Sequence, residues 1–131
     1  MSNSNKLVLI ADDDQDYLEQ MVFHVENFGF KTISAGSRKE CEALIETTKP
    51  DLAIFDLMME EDDSGFILSY KLKKKYPDVP IILATGVSSV TGYVFESEYE
   101  KDKHWIKADK FMEKGIRPDQ LLREINKLLK I

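Results

Sequence analysis

The sequence predicts an α/β domain in which helices cover both faces of a five-stranded parallel sheet. Five short apolar segments alternate with longer segments whose apolar residues recur every three or four positions, an alternation typical of parallel α/β folds. Three of the five short segments are continuously apolar, as strands buried on both faces are. The chain has 131 residues, of which 43% are hydrophobic, and this is enough for one domain with a real core.

The first strand and the first helix are the clearest of the predicted elements. Leu7–Ala11 is a continuous apolar run. The residues after it place apolar side chains on one helical face: Leu18, Met21, Val22, Val25 and Phe28. Gly29 is expected to end this helix. The second strand, Lys31–Ala35, is mixed in polarity and therefore weaker.

The second helix and the third strand follow. Ser37 is suited to cap a helix that is closed by Pro50 and carries three residues inward: Cys41, Leu44 and Ile45. The third strand is the apolar run at residues 52–55, and it ends at Asp56. An acidic loop at residues 60–64 then leads to Gly65.

The second half of the chain contains two more strands. A helix is predicted from about residue 66 to residue 75, and prolines bracket the turn into the apolar strand Ile81–Thr85. A weaker strand is predicted at Lys110–Glu113. The last helix has a regular inward stripe: Leu121, Leu122, Ile125, Leu128 and Leu129.

Strand polarity also predicts the order of the sheet. The first, third and fourth strands are continuously apolar and should be central, whereas the second and fifth are mixed and should lie at the edges. The order 2-1-3-4-5 satisfies this. Right-handed crossovers then place helices on both faces, which gives the three-layer flavodoxin-like (βα)5 arrangement.

Composition excludes several classes of function. The net charge is −6 and the pI is about 5.0, so the domain should not bind nucleic acid directly. Cys41 is the only cysteine, which rules out an intrachain disulfide and fits a reducing compartment. No apolar run is long enough to cross a membrane, and the polar N-terminus does not look like a signal peptide. We expect a cytoplasmic protein with no membrane partner, forming one domain over residues 1–131, with its core at 6–129 and no output domain.

Polar residues that end the strands should meet in one crevice. In such sheets ligands bind beyond the carboxyl ends of the strands where strand order reverses, here between the first and third strands. Asp12 and Asp13 follow the first strand, Asp56 ends the third, Thr85 ends the fourth and Lys114 follows the fifth. Three close carboxylates repel one another, and oxygen ligands favour a hard cation such as Mg²⁺. With Lys114 the site carries a charge of −2, which Mg²⁺ would cancel. A carboxylate there could attack phosphorus.

These residues, in this order and at these strand ends, resemble the receiver domain of two-component response regulators. The resemblance covers essentially the whole chain, and a single-domain, chemotaxis-regulator-like protein is the form it suggests. It implies that Asp56 accepts a phosphoryl group from a sensor histidine kinase or a histidine phosphotransfer protein. Lys114 and Thr85 would take part in that transfer.

The same resemblance implies a metal site and a switch. Asp13 would bind Mg²⁺ directly and Asp12 through water, with Asp56 and the backbone carbonyl of Met58 as further ligands. Thr85 and Phe111 would be the switch residues, whose movement alters a docking surface for a downstream protein target. The protein would catalyse only its own phosphorylation and dephosphorylation.

The sequence departs from the family's pattern at three places. Gly115 stands where a proline usually follows the lysine through a cis bond, and a cis bond before a non-proline residue costs about 2.5–4 kcal/mol. The loop after Asp56 is acidic and lacks the usual proline, and the segment at residues 86–108 is longer than usual. Met58 and Val87 are apolar at positions that flank the path of attacking water, which predicts a long-lived phosphoryl aspartate.

Other functions remain open on sequence grounds. A metal-dependent phosphatase with an aspartyl-phosphate intermediate would need an acidic residue two positions after the nucleophile. This sequence has Met58 there, which argues against that function. A flavin-binding module would need a phosphate loop after the first strand, where Asp12, Asp13 and Asp14 would repel phosphate. A degenerate receiver could bind proteins without phosphorylation, and Gly115 keeps that alternative open. Asp12 to Asp14 could also act only as a helix cap.

Overall fold

The computed structural model describes residues 5–57, 59, 64–85 and 108–131. Expectations for Met58, for the acidic loop at 60–63 and for residues 86–107 lie outside the described residues. All five predicted strands and four helices are present: β1 Leu7–Ala11, α1 Gln15–Asn27, β2 Lys31–Ala35, α2 Arg38–Thr47, β3 Leu52–Asp56, α3 Ser64–Lys75, β4 Ile81–Thr85, β5 Lys110–Glu113 and α4 Pro118–Leu129. None of the helices in these ranges is both long and apolar enough to cross a bilayer.

The sheet is parallel throughout and has the predicted order β2-β1-β3-β4-β5. β3 and β4 are buried at every position, whereas the edge strands β2 and β5 keep exposed residues. The alternation of continuous and mixed apolar strands therefore predicted their places correctly, because only central strands are covered by helices on both faces.

Helices pack against both faces of the sheet, and each face has its own apolar core. Val8 and Ile10 of β1 point to one face, where they pack with residues of α1 and α4. Leu9 and Ala11 point to the other face, where they pack with residues of α2 and α3. Because successive strand residues alternate in direction, a central strand such as β1 contributes to both layers.

Short-range hydrogen bonds set where the first two helices begin. The Asp14 carboxylate accepts from the Tyr17 backbone N–H at 3.2 Å and caps α1, and the Ser37 hydroxyl accepts from the Glu40 N–H at 3.1 Å and caps α2. Gly29 follows α1 with a φ of 100°, a left-handed conformation that glycine adopts without a steric penalty. The two helices therefore begin directly after their capping residues.

α3 begins at Ser64, two residues before the predicted start. Its first turn lies against the end of β3, where the Gly65 N–H donates to the Leu57 carbonyl at 2.8 Å. A Cβ on Gly65 would lie 2.7 Å from the Leu57 Cα and 2.8 Å from the Asp56 carbonyl oxygen. Only glycine allows the helix to approach this closely.

Candidate functional site

Three carboxylates meet at the carboxyl edge of the sheet, as predicted. Asp12 and Asp13 follow β1 and Asp56 ends the neighbouring strand β3. Each of the three offers a carboxylate oxygen, and these atoms lie within 4.8 Å of one another. Asp12 and Asp56 are only 2% and 5% exposed, whereas Asp13 is open to solvent. The cluster is therefore two buried acids with a third at its mouth.

Backbone hydrogen bonds hold the two buried acids in place. The Asp12 N–H donates to the Ala35 carbonyl at 3.1 Å, which extends the pairing of β1 with β2 by one residue. The Asp12 Oδ1 atom accepts from the Asp14 N–H at 2.8 Å. On the other strand, the Leu57 N–H donates to the Ala84 carbonyl at 2.8 Å and anchors the chain just after Asp56. The positions of both acids thus follow from the sheet itself.

Lys114 joins the two buried acids. Its Nζ atom lies 2.8 Å from Asp12 Oδ2 and 3.3 Å from Asp56 Oδ1. Its backbone N–H donates to the Thr85 carbonyl at 2.8 Å, so the residue continues the pairing of β5 with β4. No peptide bond in the described ranges is cis, so the bond from Lys114 to Gly115 is trans. The lysine reaches the pocket with glycine as its neighbour.

The lysine is held in its charged form. Burial by itself would lower the pKa of Lys114, but the hydrogen bond and charge of Asp12, together with the charge of Asp56, outweigh burial and raise the pKa. An ammonium and three carboxylates leave the site with net negative charge. All three candidate ligands offer oxygen atoms, the donor type that Mg²⁺ prefers, so the site fits a hard divalent cation.

Thr85 and Phe111, the predicted switch residues, lie on neighbouring strands beside the site. Thr85 is the last residue of β4 and is 6% exposed. Phe111 on β5 is half-buried, and its ring packs edge-to-face on Phe66 of α3 with the ring centres 6.3 Å apart. The two residues therefore lie on the two strands that follow β3 in the sheet.

Tyr17 belongs to the site and was not singled out for it in the sequence. The centre of its ring lies 4.7 Å from Lys114 Nζ. Its hydroxyl is buried and has no hydrogen-bond partner among the described residues. Burial, followed by the nearby charges of Asp12 and Asp56, raises the pKa of the Tyr17 phenol, which stays neutral. Its position in the first turn of α1 could have indicated that Tyr17 lies near the site, because helical side chains point back toward the helix start.

Comparison with known proteins agrees with this geometry. The family model for the response regulator receiver domain matches residues 8–126. Among solved structures, a CheY-like response regulator receiver domain protein from Methanospirillum hungatei is 29% identical, with a TM-score of 0.79, covering 95% of this chain and 94% of that one. The receiver domain of the Francisella response regulator 1452 is 28% identical, with a TM-score of 0.77, covering 96% and 98%.

Curated relatives are response regulators that are longer than this chain. The heme response regulator HssR of Staphylococcus saprophyticus is 30% identical over 123 residues, covering 93% of this chain and 50% of the relative. The alkaline phosphatase synthesis transcriptional regulatory protein PhoP of Bacillus subtilis is 28% identical over 126 residues, covering 96% of this chain and 48% of the relative. The chain thus spans about half the length of these relatives. It belongs to the receiver domain family of two-component response regulators.

Proposed function

We propose that Asp56 accepts a phosphoryl group from a phosphohistidine on a sensor histidine kinase or a histidine phosphotransfer protein. The observation that carries this proposal is the Asp56 carboxylate itself, held beside Asp12 and Asp13 and within reach of the Lys114 ammonium. A nucleophilic oxygen, a cation-binding set of acids and a fixed positive charge are the groups that phosphoryl transfer to a carboxylate needs.

The transfer forms one bond and breaks one bond. An Asp56 carboxylate oxygen attacks the phosphorus, the phosphorus–nitrogen bond breaks, and its electron pair returns to the imidazole nitrogen of the donor. Lys114 offsets the charge that spreads over the phosphoryl oxygens, and the Thr85 hydroxyl donates a hydrogen bond to one of them. In this mechanism the chain catalyses only its own phosphorylation and dephosphorylation.

Asp13, Asp56 and the Met58 carbonyl would hold Mg²⁺ directly, and Asp12 through water. Once bound, the ion would supply positive charge to the incoming phosphoryl oxygens. The surroundings of Asp12 and Asp13 support these different roles. Both oxygens of Asp12 already accept hydrogen bonds, from the Asp14 N–H and from Lys114, whereas the Asp13 side chain is exposed.

The output of the switch would be a protein-docking surface. Next to Phe111, an open groove of about 610 Å³ lies between β5 and α4, with Ile116 and Gln120 among its lining residues. Movement of Thr85 toward a phosphoryl group would leave room for the Phe111 ring, and the groove would change shape. A cytoplasmic downstream protein is the partner we propose, and with a net charge of −6 the domain would not bind nucleic acid directly.

Incubation with acetyl phosphate and Mg²⁺, followed by intact-mass measurement, tests the proposal. The wild-type protein should gain one phosphoryl group and Asp56→Asn none. Asp51→Asn is a matched control, because Asp51 lies at the opposite end of β3, where it accepts from the Leu7 N–H. It should be labelled like wild type. No adduct on the wild-type protein, or equal labelling of Asp56→Asn, would overturn the proposal.

The labelling experiment, together with an assay of phosphate-ester hydrolysis, separates the alternatives, which family membership does not favour. A phosphatase would keep turning over a small phosphate ester, whereas a receiver incorporates one group. A phosphorylation-independent binding module would not be labelled. The long lifetime expected from Met58 and Val87 stays a prediction, and loss of label within seconds in Mg²⁺ buffer would contradict it.

A further inference from the structure

Lys114 is followed by a residue that does not restrain it. Gly115 is exposed, and a Cβ built on it would meet nothing within 4 Å. Glycine also has the widest choice of backbone conformations. Beyond the bond of its backbone N–H to the Thr85 carbonyl, the position of the Lys114 ammonium therefore depends on its side-chain contacts.

Three of the described residues make those side-chain contacts. Asp12 and Asp56 provide the carboxylates at 2.8 Å and 3.3 Å, and the Tyr17 ring covers another side of the ammonium at 4.7 Å from its centre. The other lysine–ring contacts in the described ranges are longer, at 5.9 to 6.0 Å. A cation over an aromatic face is attracted by the ring, and more strongly when both groups are shielded from water.

The Tyr17 hydroxyl does not explain why the ring lies here. It is buried without a partner among the described residues, and an unpaired buried hydroxyl costs free energy rather than stabilising the fold. The ring, by contrast, packs against the apolar core formed with α1 and α4 on one side and contacts Lys114 on the other. The contact that favours an aromatic ring at this position is therefore the one made by the ring face.

We propose that Tyr17 is a positioning residue whose ring holds the Lys114 ammonium between Asp12 and Asp56, ready to meet the incoming phosphoryl group. The last part of this statement rests on the function proposed above. The first part concerns only the unphosphorylated protein and is tested separately.

The position of the lysine is measured by NMR on protein labelled with ¹³C at the lysine ε carbons. The Lys114 ε protons, identified by their loss in Lys114→Gln, should resonate upfield of the other lysines because they lie over a ring. Tyr17→Phe should keep this shift and Tyr17→Leu should lose it. Tyr70→Leu is the matched control, since exposed Tyr70 contacts Lys74 at 6.0 Å, away from the site. An ordinary Lys114 shift in the wild-type protein would overturn the proposal.

The effect on transfer is measured as the rate of labelling by acetyl phosphate and Mg²⁺. Tyr17→Phe should match wild type, and Tyr17→Leu should be slower by roughly twofold to thirtyfold, the range expected for losing one cation–ring contact. The Tyr17→Leu change should add little in a Lys114→Gln background, because both changes remove the same contact. An equal loss in both backgrounds, or a Tyr17→Phe variant as slow as Tyr17→Leu, would refute the positioning role.

The two measurements distinguish failure of the proposed function from failure of the positioning role of Tyr17. If the wild-type protein is not labelled at all, the proposed function is wrong, and the NMR shift still decides whether Tyr17 holds Lys114. If Tyr17→Leu does not fold, as its melting curve would show, Tyr17→Phe remains decisive. That variant keeps the ring and removes only the hydroxyl, so loss of its Lys114 shift would overturn the proposal.

Discussion

Acidic residues lie at both edges of the sheet, and the two edges use them differently. At the amino edge, Asp51 accepts from the Leu7 N–H at 2.8 Å, and Asp109 accepts from the Ile81 N–H at 2.8 Å and pairs with Lys73 at 2.9 Å. Each of these two acids accepts a hydrogen bond from a different backbone N–H group. At the carboxyl edge, three acids crowd within 4.8 Å, and Lys114 pairs with two of them.

The direction of parallel strands explains the difference. Strands that enter a sheet expose N–H groups, which a carboxylate can satisfy, whereas strands that leave it expose carbonyl groups, which a carboxylate cannot. Carboxylates at the amino edge therefore stabilise the fold. Carboxylates at the carboxyl edge repel one another and are left able to take up a cation. The same residue type is structural at one edge and available to a cation at the other.

The largest expected difference between the edges is in Mg²⁺ binding. Asp13→Asn removes one charged ligand from this edge and should raise the Mg²⁺ concentration needed for half-maximal labelling by at least about 10-fold, since losing even an outer-shell partner costs that much. Asp51→Asn and Asp109→Asn should leave that concentration unchanged. A Mg²⁺ titration of the labelling rate measures it, and an equal effect at both edges would contradict the different roles of the acids at the two edges.

Gly65 tests how tightly the carboxyl edge is built. Gly65→Ala places a Cβ against the backbone of Asp56 and Leu57 and should lower the free energy of unfolding by about 1–3 kcal/mol, the usual cost of overpacking. Gly115→Ala meets nothing within 4 Å and should change it by less than about 0.5 kcal/mol. Urea denaturation measures both. Equal stabilities for the two variants would mean that α3 can move away from β3 without cost.

Removing an acid should lower the stability of the fold at the amino edge but not at the carboxyl edge. Asp51→Ala leaves the Leu7 N–H without its acceptor and should destabilise the fold by about 1–3 kcal/mol. Asp13→Ala relieves repulsion among the three acids and should be neutral or stabilising when Mg²⁺ is absent. Thermal melting in the presence of a chelator checks this. Destabilisation by Asp13→Ala as large as that by Asp51→Ala would contradict the comparison.

The smallest expected effect is the pH dependence contributed by Lys114. Its pKa is raised in the folded protein, so its ion pairs stabilise the fold fully below the ordinary lysine pKa of about 10.4. That contribution is lost as the pH rises through the folded value above it. Lys114→Gln should therefore lose part of the alkaline decline in stability seen in metal-free wild type. Asp51→Asn is the control, because it keeps Lys114 and both of its carboxylates. Identical alkaline slopes for wild type and Lys114→Gln would show that Lys114 contributes nothing.

The candidate site could be predicted where it depends on strand ends. Asp12, Asp13 and Asp56 were predicted to converge because adjacent parallel strands end at the same edge, and the structure places their oxygens together. The start of α3 could not be predicted to the residue, since it depends on how closely Gly65 approaches Leu57. The contacts of the Lys114 ammonium with Asp12 and Asp56 could not be predicted in detail, because they join residues that are far apart in the chain.

The sequence by itself determined the elements of this protein, their order in the sheet and the edge where its three clustered acids lie. Strand polarity, helical periodicity and the capping residues Asp14 and Ser37 are local, so they can be recognised along the chain. Only the tertiary structure decided that the Tyr17 ring lies against Lys114 and that Asp12 is buried while Asp13 is exposed. Such contacts depend on the packing of several elements at once, and no local pattern in the sequence specifies that packing.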